Sequence, residues 1–165
     1  MREDRQQTPP EELWWLLMQV GTLLRRVAER RLSLARISPD QVQALQAIAA
    51  QQPLTVGEIA RAMGLERNSA SQLVDRLVRQ GLVERERSLA DRRQVFVTVS
   101  ESGHLALEAT APAVRALASD LLGAIGEAQI RDAAGVLRAM RESAGALLQA
   151  GGDAEAAELE ASAAG

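Results

Sequence analysis

The chain has 165 residues, no cysteine, a single histidine (His104) and a net charge of −3. This length is sufficient for one domain with its own hydrophobic core. The lack of cysteine excludes a disulfide framework, a zinc–thiolate site and thiol redox sensing, and one histidine excludes a site built on several histidine ligands of one chain. We therefore expect no metal ion and no other cofactor.

The charge is distributed unevenly along the chain. The segment 151–165 contains four acidic residues and no basic residue, whereas residues 1–150 contain 19 arginines and 18 acidic residues and carry +1. No run approaches the roughly 20 apolar residues of a membrane span, and the polar N-terminus is unlike a signal peptide. We expect a cytoplasmic protein that does not bind membranes, with a disordered acidic tail at 151–165.

Capping boxes predict where the first helices begin. Thr8 with Glu11, and Ser38 with Gln41, each place a hydroxyl three residues before a Glu or Gln. The first helix then carries an apolar stripe at helical spacing: Leu13, Leu17, Val20, Leu24 and Val27. The second helix is predicted to end near Ala50, before a proline.

Glycines predict where the next two helices end. Thr55 with Glu58 is a third capping box, and it starts a short helix that Gly64 ends in the left-handed conformation. A fourth helix follows over about 66–80 and ends in the same way at Gly81. It has one apolar face (Ala70, Leu73, Val74, Leu77) and one polar face.

The period of the pattern changes after the fourth helix. Residues 82–86 and 94–99 alternate like strands, and the polar stretch between them contains Asp91, Arg92 and Arg93. This predicts a β-hairpin with a basic tip. Two long helices follow, over about 101–122 with Ser100 as the cap, and over about 127–149.

A short helix, a glycine turn, a second helix and a hairpin form, in this order, a winged helix-turn-helix. The fold class expected is mainly α with a small β-hairpin wing. The start of such a second helix reaches base edges in the major groove, and a basic hairpin tip reaches the minor groove. The candidate base-reading residues are Arg67, Asn68, Ser69, Ser71 and Gln72. Arg76 is a candidate phosphate contact.

Three stretches together resemble the multiple-antibiotic-resistance regulator (MarR) family. They are LTVGEIARAMGL at 54–65, QLVDRLVRQGLVER at 72–85, and DRR at 91–93 followed by VFVTVSESG at 95–103. The resemblance covers about 11–148. It implies a winged helix over about 38–100 and a helical dimerisation lobe from about 9–35 and 101–149, so that residues 1–150 form a single domain.

The resemblance also implies a function and its partners. Arg93 is expected to enter the minor groove while Asp91 holds the wing. A homodimer would bind duplex DNA at a pseudo-palindromic operator, as a repressor relieved by a small aromatic or anionic effector. Trp14, Trp15 and Met18 on the first helix are candidate effector contacts, although packing of both tryptophans in the core or dimer interface is the alternative.

Two other classes of function fit the sequence less well. A winged helix can serve as a protein-interaction module without DNA binding, but such a module does not need the basic tip formed by Asp91, Arg92 and Arg93. An enzyme would require a nucleophile with a base, a phosphate-binding glycine loop or a metal cluster, and the sequence has none of these patterns. A DNA-binding regulator is the function that the sequence favours.

Overall fold

The computed structural model describes residues 9–87 and 94–163. Within them the fold is mainly α-helical with one small antiparallel sheet, which confirms the predicted fold class. In chain order the elements are α1 (Pro10–Leu32), a short 3₁₀ turn (Ser33–Ala35), α2 (Pro39–Gln51), β1 (Leu54–Thr55), α3 (Val56–Met63), α4 (Arg67–Arg79), β2 (Val83–Arg87), β3 (Val95–Val99), α5 (Glu101–Leu122) and α6 (Glu127–Ala163).

The capping boxes of α2 and α3 form as predicted. The Ser38 hydroxyl accepts a hydrogen bond from the Gln41 N–H at 3.3 Å, and the Gln41 side chain accepts one from the Ser38 N–H at 2.9 Å. In α3 the Thr55 hydroxyl accepts from the Glu58 N–H at 3.3 Å, and the Glu58 carboxylate accepts from the Thr55 N–H at 2.7 Å. Both helices therefore begin where local side chains satisfy their first N–H groups.

The start of α1 differs from the prediction. Its N-cap is Pro9, no side chain caps it, and Thr8 lies outside the described residues. The fixed φ of proline suits the first helical position, which Pro10 occupies, so the cap falls one residue after Thr8. The predicted box of Thr8 with Glu11 is therefore not the start of this helix.

The capping box of α3 makes the stability of the protein depend on pH. Hydrogen bonds from the backbone and side chain of Thr55 lower the pKa of Glu58 below its ordinary value. Because the folded-state pKa is depressed, this stabilisation is present above the unfolded pKa of about 4.3 and is lost as the pH falls through the folded value. We expect Glu58→Gln, whose amide oxygen still accepts from Thr55, to lose less free energy of unfolding than the wild type between pH 7 and 3. Urea unfolding at each pH measures the free energy of unfolding of both proteins. An equal loss of this free energy between pH 7 and 3 in the two proteins would contradict the prediction.

The wing is part of a three-stranded sheet in the order β1-β3-β2. β3 pairs with β2 in a register that runs from Val83 opposite Val99 to Arg87 opposite Val95. On its other side it pairs with β1. β1 was not predicted, because two residues are too short to show alternation. This strand joins the base of the wing to the start of α3.

The hydrophobic core lies in the winged helix. The predicted apolar face of α4 is fully buried, which confirms that prediction. It packs in one cluster with residues of α2, α3 and the sheet, among them Leu45, Ile48, Ile59 and Val97. α4 is therefore supported from behind by the core and presents its polar face outward.

The outer helices leave apolar surface uncovered. Among the side chains that the structure describes, every large hydrophobic one that is exposed lies on α1, α5, α6 or the turn before α6, and none lies within 35–87 or 94–100. No helix among the described residues is long and apolar enough to cross a membrane. The exposed apolar surface therefore coincides with the predicted dimerisation lobe.

α6 is longer than the predicted helix over 127–149. It continues to Ala163 and includes most of the segment expected to be a disordered tail. Alanine and glutamate, which dominate residues 154–163, have high helix propensity, and this outweighs the cost of Gly151 and Gly152.

Candidate nucleic-acid interface

The outward face of α4 collects the candidate base-reading residues. Ser71 is half-buried, whereas Arg67, Asn68, Ser69, Gln72 and Arg76 are exposed. The N-cap, Glu66, makes no side-chain cap hydrogen bond. The polar side chains and the N–H groups of the first turn thus lie together at one helix end, where they can meet phosphate and base edges.

The C-terminal end of α4 is closed by a glycine turn. Gly81 has φ of +71°, which L side chains rarely adopt. Its N–H donates to the Val78 carbonyl and the Leu82 N–H donates to the Leu77 carbonyl, both at 2.9 Å. Only Leu82 separates Gly81 from β2, so the wing begins directly after the turn that ends α4.

An ion pair joins α4 to the wing. The Arg85 guanidinium of β2 lies 2.6 Å from the Asp75 carboxylate of α4. This pair was not predicted, because its two residues lie ten positions apart on different elements and no local pattern links them. Asp91, Arg92 and Arg93 lie outside the described residues, so their predicted roles at the wing tip stay predictions.

Two arginines line a cleft beside this surface. Arg61 of α3 and Arg67 of α4 line an open cleft that also includes Gln94 at the start of β3. The segment 56–93 contains eight arginines and six acidic residues, a net charge of +2. The field is modest in one chain, and a second copy would double it.

The model of the MarR family matches residues 37–94 of the sequence. This part of the chain is similar to the winged helix of the MarR family. The matched range begins at the residue before the Ser38 cap and ends just before β3, so it includes α2, β1, α3, α4 and β2.

A curated relative is similar to part of the chain. An uncharacterized HTH-type transcriptional regulator of Staphylococcus aureus is 34% identical over 79 residues, which is 48% of this chain and 54% of that protein. The chain spans about half the length of the curated relatives it matches.

Solved structures share the fold over most of the chain. A mutant MarR of E. coli in complex with operator DNA has a TM-score of 0.71 and 23% identity, over 78% of this chain and 92% of that one. CouR of Rhodococcus jostii, bound to p-coumaroyl-CoA, has a TM-score of 0.73 and 21% identity, over 82% and 95% of the two chains. The likeness therefore extends from the MarR-type winged helix into the outer helices.

The candidate effector residues lie on the exposed surface of α1. Trp14, Trp15 and Met18 are 56%, 63% and 52% exposed. A separate cavity of about 160 Å³ lies between α1, α2 and α5. Its lining residues are Ala28, Arg31, Leu32, Pro39, Val42, Gln43, Gln46, Ala113, Val114 and Leu117. The structure does not bring the three candidates to this cavity, and their effector role stays a prediction.

Proposed function

We propose that this chain is a homodimeric, sequence-specific DNA-binding transcriptional regulator rather than an enzyme, and that it acts as a repressor relieved by a small molecule. One observation carries the proposal: the polar face of α4 is exposed beside a wing held by the Asp75–Arg85 pair, while its apolar face is buried. The solved complex of a MarR with operator DNA supports this use of the fold.

The exposed apolar surface supports the homodimer. α1 exposes a row that includes Leu16, Val20 and Leu23, and α6 exposes Val136 and Leu137. A monomer would leave this surface in water. We call α4 the recognition helix. A two-fold dimer of the lobe formed by about 9–35 and 101–149 would place two recognition helices about one DNA turn apart, roughly 34–36 Å, and so read a pseudo-palindromic operator.

The α1–α2–α5 cavity supports a small effector. An apolar cavity of about 150 Å³ is known to hold a single aromatic ring. The one cation of its lining, Arg31, already pairs with Asp120 at 2.6 Å. An aromatic effector would fill the cavity directly, whereas an anionic one would compete with Asp120. Trp14, Trp15 and Met18 are proposed contacts for a larger effector on the same helix.

A gel-shift titration tests the proposed function. The duplex upstream of the chain's own gene is compared with an unrelated duplex at physiological salt, and a random duplex pool is used for selection. Tight, selective binding that saturates at two chains per site is the expected result. If no member of the pool is bound, the DNA-binding proposal fails and a winged-helix module for protein contacts becomes the better interpretation.

The wing tip and the recognition helix are expected to differ in what they contribute. Arg93→Ala is expected to weaken operator binding by about 10-fold or more, because a minor-groove arginine is lost, and to leave the dimer intact. Asn68→Ala or Gln72→Ala is expected to change sequence preference more than salt dependence, because these residues are proposed to read bases.

Titrations on selected and mismatched operators at several salt concentrations measure both effects. Unchanged affinity of Arg93→Ala would exclude the minor-groove role. A changed salt slope with unchanged preference would make Asn68 and Gln72 phosphate contacts instead.

A further inference from the structure

Ser100 connects the last residue of the wing to the turn that ends the recognition helix. Its hydroxyl donates to the Gly81 carbonyl at 2.6 Å, and its N–H donates to the Leu82 carbonyl at 3.1 Å. The same hydroxyl accepts from the Gly103 N–H at 3.0 Å, which caps α5. Ser100 is only 9% exposed, so water competes little for these bonds.

Gly103 lets α5 approach that turn closely. A Cβ built on Gly103 would lie 2.1 Å from the Leu82 carbonyl oxygen and 2.7 Å from a methyl carbon of Val99. Both distances are shorter than real Cβ contacts, and the nearer atom is backbone, which cannot rotate away. Any side chain at 103 must therefore move α5 relative to the end of α4. We call Gly81, Leu82, Ser100 and Gly103 the α4–α5 junction.

Each side of the junction is linked to a further helix. α5 is about 33 Å long at 1.5 Å per residue, and near its far end Asp120 pairs with Arg31 of α1 at 2.6 Å. On the other side, the buried Gln41 of α2 donates to the Gln80 side chain at the end of α4 at 2.6 Å. α5 thus reaches from the lobe to the junction, and α4 is hydrogen-bonded to α2 at the same end.

We propose that Ser100 and Gly103 are positioning residues that lock the recognition helix to α5, so that the dimerisation lobe sets the distance and angle between the two recognition helices. The residues touch no DNA and act through α4. The proposal rests on the proposed function and adds that half-site spacing, as distinct from base preference, is determined at the α4–α5 junction.

Operators with altered spacing test the proposal on the full chain. The operator selected from the random pool is rebuilt with its spacer shortened or lengthened by one base pair, which shifts one half-site by about 3.4 Å and rotates it by about 35°. We expect the wild type to lose about 10-fold or more in affinity on either altered operator. We call the affinity for the selected operator divided by that for an altered operator the spacing ratio. Ser100→Ala and Gly103→Ala are expected to reduce this ratio to about 3-fold or less, or to move the preferred spacer length by one base pair.

Two matched variants and a folding control separate positioning from structural damage. Gly57→Ala, at a glycine of α3 outside the dimerisation lobe whose added Cβ meets nothing closer than the Thr55 hydroxyl at 4.0 Å, is expected to keep the wild-type ratio. Ser100→Thr keeps the hydroxyl and is expected to retain most of the ratio. Circular dichroism checks folding, and if Gly103→Ala does not fold, Ser100→Ala alone decides the result.

The outcomes distinguish this proposal from the proposed function. If Ser100→Ala and any folded Gly103→Ala bind all three operators more weakly by one common factor, the junction is merely structural and the positioning proposal is overturned. If the wild type binds no duplex selectively, the proposed function itself fails. A lowered ratio in the junction variants with unchanged base preference supports the proposal.

Discussion

A Val20→Glu variant is expected to be monomeric at micromolar concentration and to lose operator binding. Val20 is 48% exposed in the protomer and lies on the same side of α1 as Leu16 and Leu23. In the proposed dimer this side is covered, so an unpaired carboxylate there would be removed from water at a cost of about 3–5 kcal/mol. This corresponds to a rise of about 100- to 1,000-fold or more in the dimer dissociation constant.

Sedimentation equilibrium measures the dissociation constant, and a gel shift on the selected operator measures the loss of DNA binding. Thr22→Glu is the matched control. It adds the same charge two residues away, on the opposite side of α1, where Thr22 is exposed. If both variants remain dimers, α1 does not supply the interface and the dimer must use another surface.

A Leu77→Ala variant is expected to lose about 2–5 kcal/mol of unfolding free energy. Leu77 is fully buried at the C-terminal end of the apolar face of α4, where it packs in the core of the winged helix. Truncation removes buried methyl groups and leaves a cavity behind the recognition helix, which the surrounding core fills only in part. Urea unfolding followed by circular dichroism gives the difference.

Gln72→Ala on the same helix is the control for this truncation. Gln72 is exposed on the opposite face, and its truncation is expected to change stability by less than about 0.5 kcal/mol. Leu77→Ala should therefore lower the free energy of unfolding, because Leu77 supports the helix. Gln72→Ala should leave it almost unchanged and alter DNA binding instead, because Gln72 is proposed to read DNA. Equal losses of stability would mean that the polar face of α4 is also packed in the folded protein.

Local signals explain the parts of the fold that the sequence predicted well. The starts of α2 and α3 depend on residues three positions apart, Ser38 with Gln41 and Thr55 with Glu58. The left-handed stop after α3 needs only Gly64, and the buried face of α4 follows from a period of 3.6 residues. Each of these features is complete within one or two turns of chain.

The ends of the chain were predicted less well because competing local preferences are close in energy there. Thr8 and Pro10 both signal a helix start, and the position of the proline decided which residue became the cap. After residue 149, two glycines and an excess of acidic residues indicate a tail, whereas the surrounding alanines favour a helix. In the structure the helix continues to Ala163.

Only the part of the candidate site that lies on α4 alone followed from the sequence pattern. The exposed positions of Asn68 and Gln72 follow from the period of α4 alone, and so the sequence by itself determined which face can meet DNA. The Asp75–Arg85 pair, the pairing of β1 with β3 and the contact of Gly103 with Leu82 were decided by the tertiary structure. Each joins residues that are 10 to 43 positions apart on different elements. Such contacts form only after the core has brought those elements together, and no pattern within one helix or strand encodes them.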